Sequence, residues 1–237
     1  MSKPENITDP RKQFVRLFNE LCYSHSRWRV FQDFCEMAAI ALRQPFYQDA
    51  EAEARYMEII KVYDPAKADK FAEMLACVVL GLENKTCDFL GSVFHELEMQ
   101  NENMGQFFTP YEVQSLMAQM VFDAGKMQAC IDRNGYVTMN EPCSGAGGMV
   151  LAFAEVFRRH GFNSSTQLFV VTQDLDFTAT NMTYIQLALC GLSALVERRN
   201  TLTMELYFNH YTPVYFLEQW PARFAANRIK DGIRRAI

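Results

Sequence analysis

The chain has 237 residues, 49% hydrophobic and 22% charged, enough to bury a substantial core and too apolar for a disordered chain. A formal net charge of −5 argues against strong autonomous nucleic-acid binding, because domains dedicated to that task are basic. Seven scattered cysteines show no CxxC spacing and no zinc-like Cys/His pairing, so no metal site is expected, and the thiols fit burial in a reducing cytoplasm.

Met1 to Pro10 is polar and has no signal-peptide core. Residues 1–100 read as a helical N-terminal domain. Asp9-Pro10 and Asp64-Pro65 each offer an N-cap followed by proline in the first turn. Phe14, Leu17, Phe18 and Leu21 recur at helical spacing after the first pair, and Phe71, Met74, Leu75 and Val78 after the second. Pro45 is expected to end the helix that carries Phe34, Met37, Ala38 and Ala41. Phe89, Val93, Phe94 and Leu97 form a further short stripe. The longest apolar run, Met74 to Leu82, is too short to span a bilayer, so a cytoplasmic protein with no membrane partner is expected.

Past a polar stretch at 98–105 the pattern changes, and residues 101–237 read as an α/β domain. Tyr136 to Asn140, Leu168 to Thr172 and Ala194 to Glu197 read as strands. Met149 to Arg159 and Thr178 to Leu189 read as the helices between them. This alternation implies a parallel sheet with crossover helices. Near the C-terminus Arg223, Arg228, Lys230, Arg234 and Arg235 cluster; they suit either a solvated helix face or a segment that contacts phosphates or docks a partner.

Three stretches carry chemistry. The first runs from Asn140 through Glu141, Cys143, Ser144, Gly145, Ala146 and Gly147 to Met149, after a strand and into a helix. Its glycines permit a tight turn and close approach of a ligand to the backbone, and the helix start adds free N–H groups. It is not a phosphate loop, since no Gly-Lys-Ser/Thr follows. Glu141 at the strand tip can hold the ammonium of an amino-acid-like ligand or position the turn. The second stretch is the end of the next strand, where an acidic residue is placed to accept two ribose hydroxyls. Asp174 and Asp176 both qualify, and alternation selects one, taken as Asp174. The third is Gly105-Gln106-Phe107-Phe108-Thr109-Pro110-Tyr111-Glu112. Thr109 is expected to cap a helix, with Pro110 in its first position and Glu112 closing a capping box. The paired phenylalanines suit a core plug or a wall against a flat ligand.

These residues resemble those of the adenine-N6 DNA methyltransferases of the type I modification-subunit class. Gly105 to Pro110 is similar to their GQFFTP segment, Glu141 to Gly148 to their DPACGSGG turn, and Asn200-Thr201-Leu202 to their GD-[ST]-L segment. Asp174 falls at their ribose-binding acid, and Phe89-Leu90-Gly91 fits their helical N-terminal part. The resemblance covers about residues 87–203, with the small phage- or plasmid-associated relatives as the nearest branch. It implies a Rossmann-like class I methyltransferase sheet with an N-terminal helical domain, S-adenosylmethionine as cofactor, and a role in restriction-modification. It further implies that Phe107, Thr109 and Pro110 line the methionine side of the cofactor, that Glu141, Ser144, Gly145 and Gly147 form its floor, that Asp174 binds the ribose and that Asn200 lies near the adenine.

The sequence departs from that family in ways that bear on catalysis. Glu141 replaces Asp, Cys143-Ser144 inverts the order of small residues, and Asn200 removes a charge. The catalytic Asn/Asp-Pro-Pro-aromatic tetrapeptide, whose oxygens accept the hydrogens of the exocyclic amine and whose ring stacks on the flipped base, has no full counterpart. Its nearest match is Thr212-Pro213-Val214-Tyr215, with Thr212, Pro213 and Tyr215 as catalytic candidates. Fewer strands follow than a complete methyltransferase sheet contains, so the sheet is expected to be truncated or completed by another subunit. Two readings follow: a DNA adenine-N6 methyltransferase, or a catalytically incomplete S-adenosylmethionine-binding relative acting as a binding or regulatory module, or as a subunit that needs a partner. DNA, reached through a partner or the basic C-terminal segment, and a protein partner or homo-oligomer are the expected associates.

Overall fold

Helices begin where the sequence offers caps. The Asp9 carboxylate accepts the Lys12 amide at 3.1 Å and starts α1 (Pro10–Leu21), and Ser26, Asp49 and Asp88 do the same for α2 (Arg27–Tyr47), α3 (Ala50–Ile60) and α5 (Phe89–Glu96). The computed structural model describes residues 9–84, 86–99 and 108–236. Between α3 and α5 lies α4 (Pro65–Asn84), which starts at the expected proline. Phe14, Leu17, Phe18 and Leu21 face inward from α1, and the Phe14 ring meets Phe34 and Phe89 edge-on at centroid distances of 5.1 and 6.0 Å. Burying each such ring is worth roughly 1.5–3 kcal/mol.

Pro45 does not end its helix. The helix α2 runs on to Tyr47 before Gln48 closes it in the left-handed conformation. Proline removes only one backbone hydrogen bond there, and tertiary contacts hold the last turn. Phe46 stacks on Phe216 at 5.5 Å, and the Tyr47 hydroxyl accepts the Tyr211 amide at 2.6 Å.

The second half begins with α6 (Tyr111–Val121) and α7 (Ala124–Asn134). It continues through β1 (Val137–Glu141), α8 (Gly148–Arg159), α9 (Ser164–Gln167), β2 (Leu168–Asp174), α10 (Phe177–Leu189), β3 (Ser193–Arg199), β4 (Leu206–Tyr211), α11 (Pro213–Leu217) and α12 (Trp220–Ala236). The described residues thus form a mixed α/β structure of twelve helices and one four-stranded sheet. The sheet order is β1-β2-β3-β4; the first three strands are parallel, as the alternation implied, and β4 returns antiparallel along β3. Strands β2 and β3 are buried apolar runs, whereas β4 lies at an edge with a largely solvent-facing Leu-Tyr-Phe-Asn-His-Tyr sequence.

One hydrophobic core runs from Phe14 and Phe34 in the helical half to Val150, Val170 and Ala194 in the sheet half, with α2 packed on α10. The opposite face of the sheet is covered at its N-terminal end by α12, whose fully buried Trp220 meets Phe169 at 5.2 Å and Tyr136 at 5.3 Å. Among the described residues no helix is long and apolar enough to cross a membrane, no cluster could hold a metal ion, and no disulfide is present.

Candidate functional site

The parallel strands end together, and the segments that leave them converge. After β1 the chain turns through Gly145 and Gly147 with φ of +55° and +90°, values that favour glycine, and Gly147 caps α8. The turn is fastened to β2 by the Ser144 amide, which donates to the Gln173 carbonyl at 2.9 Å. Asp174, at the tip of β2, reaches back to it. One carboxylate oxygen accepts the Gly145 amide at 2.8 Å and the other the Asp176 amide at 2.9 Å. Burial holds the Asp174 carboxyl above the usual carboxylate range, while those two amides pull it back. Asp176 has another task, accepting the Ala179 amide as the cap of α10.

Beneath the turn lies a polar frame that sequence reasoning missed. The Thr183 hydroxyl donates to the Gly145 carbonyl at 2.9 Å and lies 3.2 Å from the Ser144 hydroxyl. The Gln186 amide donates to the Ala146 carbonyl at 2.7 Å and to Asp88 at 2.8 Å, while its oxygen accepts the Leu90 amide at 3.0 Å. Asp88 is buried, which raises its carboxyl above the ordinary range. It faces Gly148 together with the Gln114 amide oxygen, which is buried without a hydrogen-bond partner. A Cβ on Gly148 would lie 2.1 Å from that oxygen and 2.9 Å from the Asp88 carboxyl. The signals were present in the sequence: Asp88 stands three residues before Gly91 in a cap spacing, and α10 carries Thr180, Thr183 and Gln186 at helical intervals among buried positions.

The segment after residue 107 closes the other side. Phe108 packs on Phe94 with centroids 5.0 Å apart, and its ring lies where a Cβ on Gly145 would come within 3.0 Å. It therefore joins core packing to the wall of the turn. Phe107 lies outside the described residues. Thr109 does not cap α6: the cap position is Pro110, with no side-chain hydrogen bond, and both residues are exposed. The helix starts one residue late because the Gln114 amide takes the Thr109 carbonyl at 2.9 Å and holds the backbone there. A cleft of about 240 Å³ lies between α5 and this segment, lined by Arg11, Asp88, His95, Phe108, Thr109 and Pro110. The residues of the glycine turn line neither this cleft nor two larger surface hollows, one bordered by Arg158 and Cys190 and one by Leu217 and Arg223.

Glu141 bends onto its own turn and accepts the Cys143 amide at 3.2 Å. Asn200 opens the β3–β4 hairpin. Its side-chain oxygen accepts the Leu202 and Thr203 amides at 3.0 and 3.1 Å, which leaves the amide nitrogen as its donor. The hairpin is tied to the glycine turn by the Thr201 hydroxyl, which donates to the Pro142 carbonyl at 2.8 Å. Leu175 and Leu202 stand exposed beside Asp174 and Asn200, at 51% and 96%.

Thr212, Pro213 and Tyr215 are not at this site. Because β4 runs antiparallel, it carries them back to the start of β3, the opposite end of the sheet. Thr212 is fully buried there; its hydroxyl accepts the Ala194 amide at 2.9 Å and donates to the Leu192 carbonyl at 2.6 Å. Pro213 starts α11, and Tyr215 stacks on Tyr211 at 3.8 Å. These are structural roles, and the strand length between them and Asp174 rules out a shared active centre. In the basic C-terminal segment, Arg223 is engaged with Glu218 and the Thr166 carbonyl and Arg228 is exposed, while the side chains of Lys230, Arg234 and Arg235 lie outside the described residues.

A family model described as N-6 DNA methylase matches residues 88–210, just over half of the chain. No curated protein and no solved structure matches.

Proposed function

Given that the chain belongs to the N-6 DNA methylase family, whose members use S-adenosylmethionine as methyl donor, we propose that it binds this cofactor at the glycine turn and acts in methylation of adenine N6 in DNA. The observation that carries the reading is the meeting of Asp174 with Gly145. Each carboxylate oxygen accepts one backbone amide, so each keeps a lone pair for one of two ribose hydroxyls. The turn fits the cofactor as well: Gly145 and Gly147 hold conformations that side chains resist, and the start of α8 offers its positive end.

In this reading the fold is a Rossmann-like methyltransferase sheet preceded by a helical domain over residues 1–100, in a cytoplasmic protein of the type I modification-subunit kind. Ser144, Gly145 and Gly147 form the cofactor floor, and Glu141 positions it. Phe108, Thr109 and Pro110 border the cleft that takes the methionine end. The Asn200 amide donates toward the adenine, and Leu175 and Leu202 supply apolar walls for its flat ring. When bound, S-adenosylmethionine supplies an electrophilic methyl group. The chain's own residues orient the cofactor.

A second reading is favoured by the location of Thr212 and Tyr215. With those residues at the far end of the sheet, the groups that grip the target base come from elsewhere. The chain then serves as the cofactor-holding subunit or regulatory module of a restriction-modification assembly, meeting DNA through a partner or through its basic C-terminal segment. Both readings are tested on one sample by measuring cofactor binding together with transfer of labelled methyl to unmethylated DNA. Binding with incorporation at adenine supports the enzyme, binding without it selects the second reading, and no binding overturns both.

A further inference from the structure

The helix α6 is amphipathic with its faces reversed. Its inward residues are Gln114 and Ala118, which pack on α8. Its apolar residues at i, i+3, i+4, i+7 and i+8 point to solvent: Val113 is 45% exposed, Leu116 58%, Met117 46%, Met120 76% and Val121 71%. A stripe of this spacing in a helix of an α/β layer ordinarily covers a sheet. Here α6 packs on α8, which follows β1, while α7 packs on β1 itself, and the stripe is left to solvent. The strand β1 is the sheet's edge, with β2 on one side and no strand on the other among the described residues. Among the described residues nothing covers this face of α6.

We propose that the outward face of α6 is the interface of a two-fold dimer of this chain. The patch is on the order of 500 Å², the upper range for a monomer surface. Pairing two copies buries about 1,000 Å² in total, the level at which specific interfaces begin. No charged side chain lies within the stripe, so self-contact buries no like charges despite the net charge of −5. An antiparallel pairing centred on Met117 sets Val113 against Val121 of the partner subunit and opposes the two helix dipoles.

Light scattering on the 237-residue chain after size exclusion, at tens of micromolar, reads the mass directly. The wild type is expected at twice the 27.4 kDa chain mass, and Leu116→Glu with Met120→Glu at one chain mass with an unchanged circular dichroism spectrum, because both side chains are exposed on the single chain; the melting temperature of the wild type alone rises with concentration. Met120→Lys alone, at the most exposed of the five positions, is expected to weaken the dimer at least tenfold, and it decides the matter if the double variant is less stable. A monomeric wild type, even one that captures a different protein through this face, overturns the proposal. So does a dimer whose affinity Met120→Lys leaves unchanged.

Discussion

Replacing Gly148 with alanine measures how firmly the glycine turn is locked to the helical half. Gly148 is not in the left-handed region, so the effect is steric. The new methyl would lie 2.1 Å from the Gln114 amide oxygen and 2.9 Å from the Asp88 carboxyl. The Gln114 side chain must move, losing its 2.9 Å bond to the Thr109 carbonyl, and the crowded site must expand. One hydrogen bond is worth about 1 kcal/mol, and overpacking typically costs about 1–3 kcal/mol. A destabilisation of roughly 2–4 kcal/mol is therefore expected in urea titrations followed by circular dichroism. Gly161→Ala provides the contrast, since its φ is +86° with nothing within 4 Å of the added carbon; only conformational strain of about 1–2 kcal/mol applies. In a double-mutant cycle, Gln114→Ala should relieve Gly148→Ala by at least about 1 kcal/mol. A Gly148→Ala protein within about 0.5 kcal/mol of wild type, additive with Gln114→Ala, would refute the described packing.

Other outcomes follow from the same geometry. Thr183→Val strips the Gly145 carbonyl of its donor and should cost about 1–2 kcal/mol while weakening cofactor affinity several-fold, both read by thermal shift with and without S-adenosylhomocysteine. Thr212→Val should cost about 1–3 kcal/mol through its two lost bonds yet leave that affinity unchanged; reduced affinity at unchanged stability would return Thr212 to the site. His210 is held neutral by burial, with its pKa lowered from 6.5 to about 4, so the unfolded chain takes up the proton first. Stability should therefore fall as pH drops from 6.5 toward 4, by an amount on the order of 2 kcal/mol, and His210→Asn should flatten that dependence in urea midpoints.

The parallel strands were legible because a strand buried on both faces reads as an unbroken apolar run, as Leu168 to Val171 does. The strand β4 was not, since an antiparallel edge mixes aromatic and polar residues and carries no such run. That gap explains the misplacement of Thr212 to Tyr215: without β4 nothing in the sequence shows the chain reversing to the other end of the sheet. Helix boundaries set by local chemistry, such as Asp9-Pro10, appear where read, whereas tertiary contacts prevailed at Pro45 and the side-chain bond from Gln114 at Thr109. At the site, Gly145, Gly147 and Asp174 could be read from turn geometry. Asp88 and Gln186 showed only a cap spacing and a helical interval, and their roles in the frame, like that of Gln114, depend on contacts between residues up to 98 positions apart.

Isothermal calorimetry with S-adenosylmethionine on the wild type and on Asp174→Ala tests the cofactor assignment most directly. Removing a carboxylate that accepts two hydroxyls should weaken binding at least about tenfold, the loss of one or two charge-assisted hydrogen bonds. Equal affinity in the two proteins, or a wild type that does not bind, would contradict the placement of the cofactor at the glycine turn.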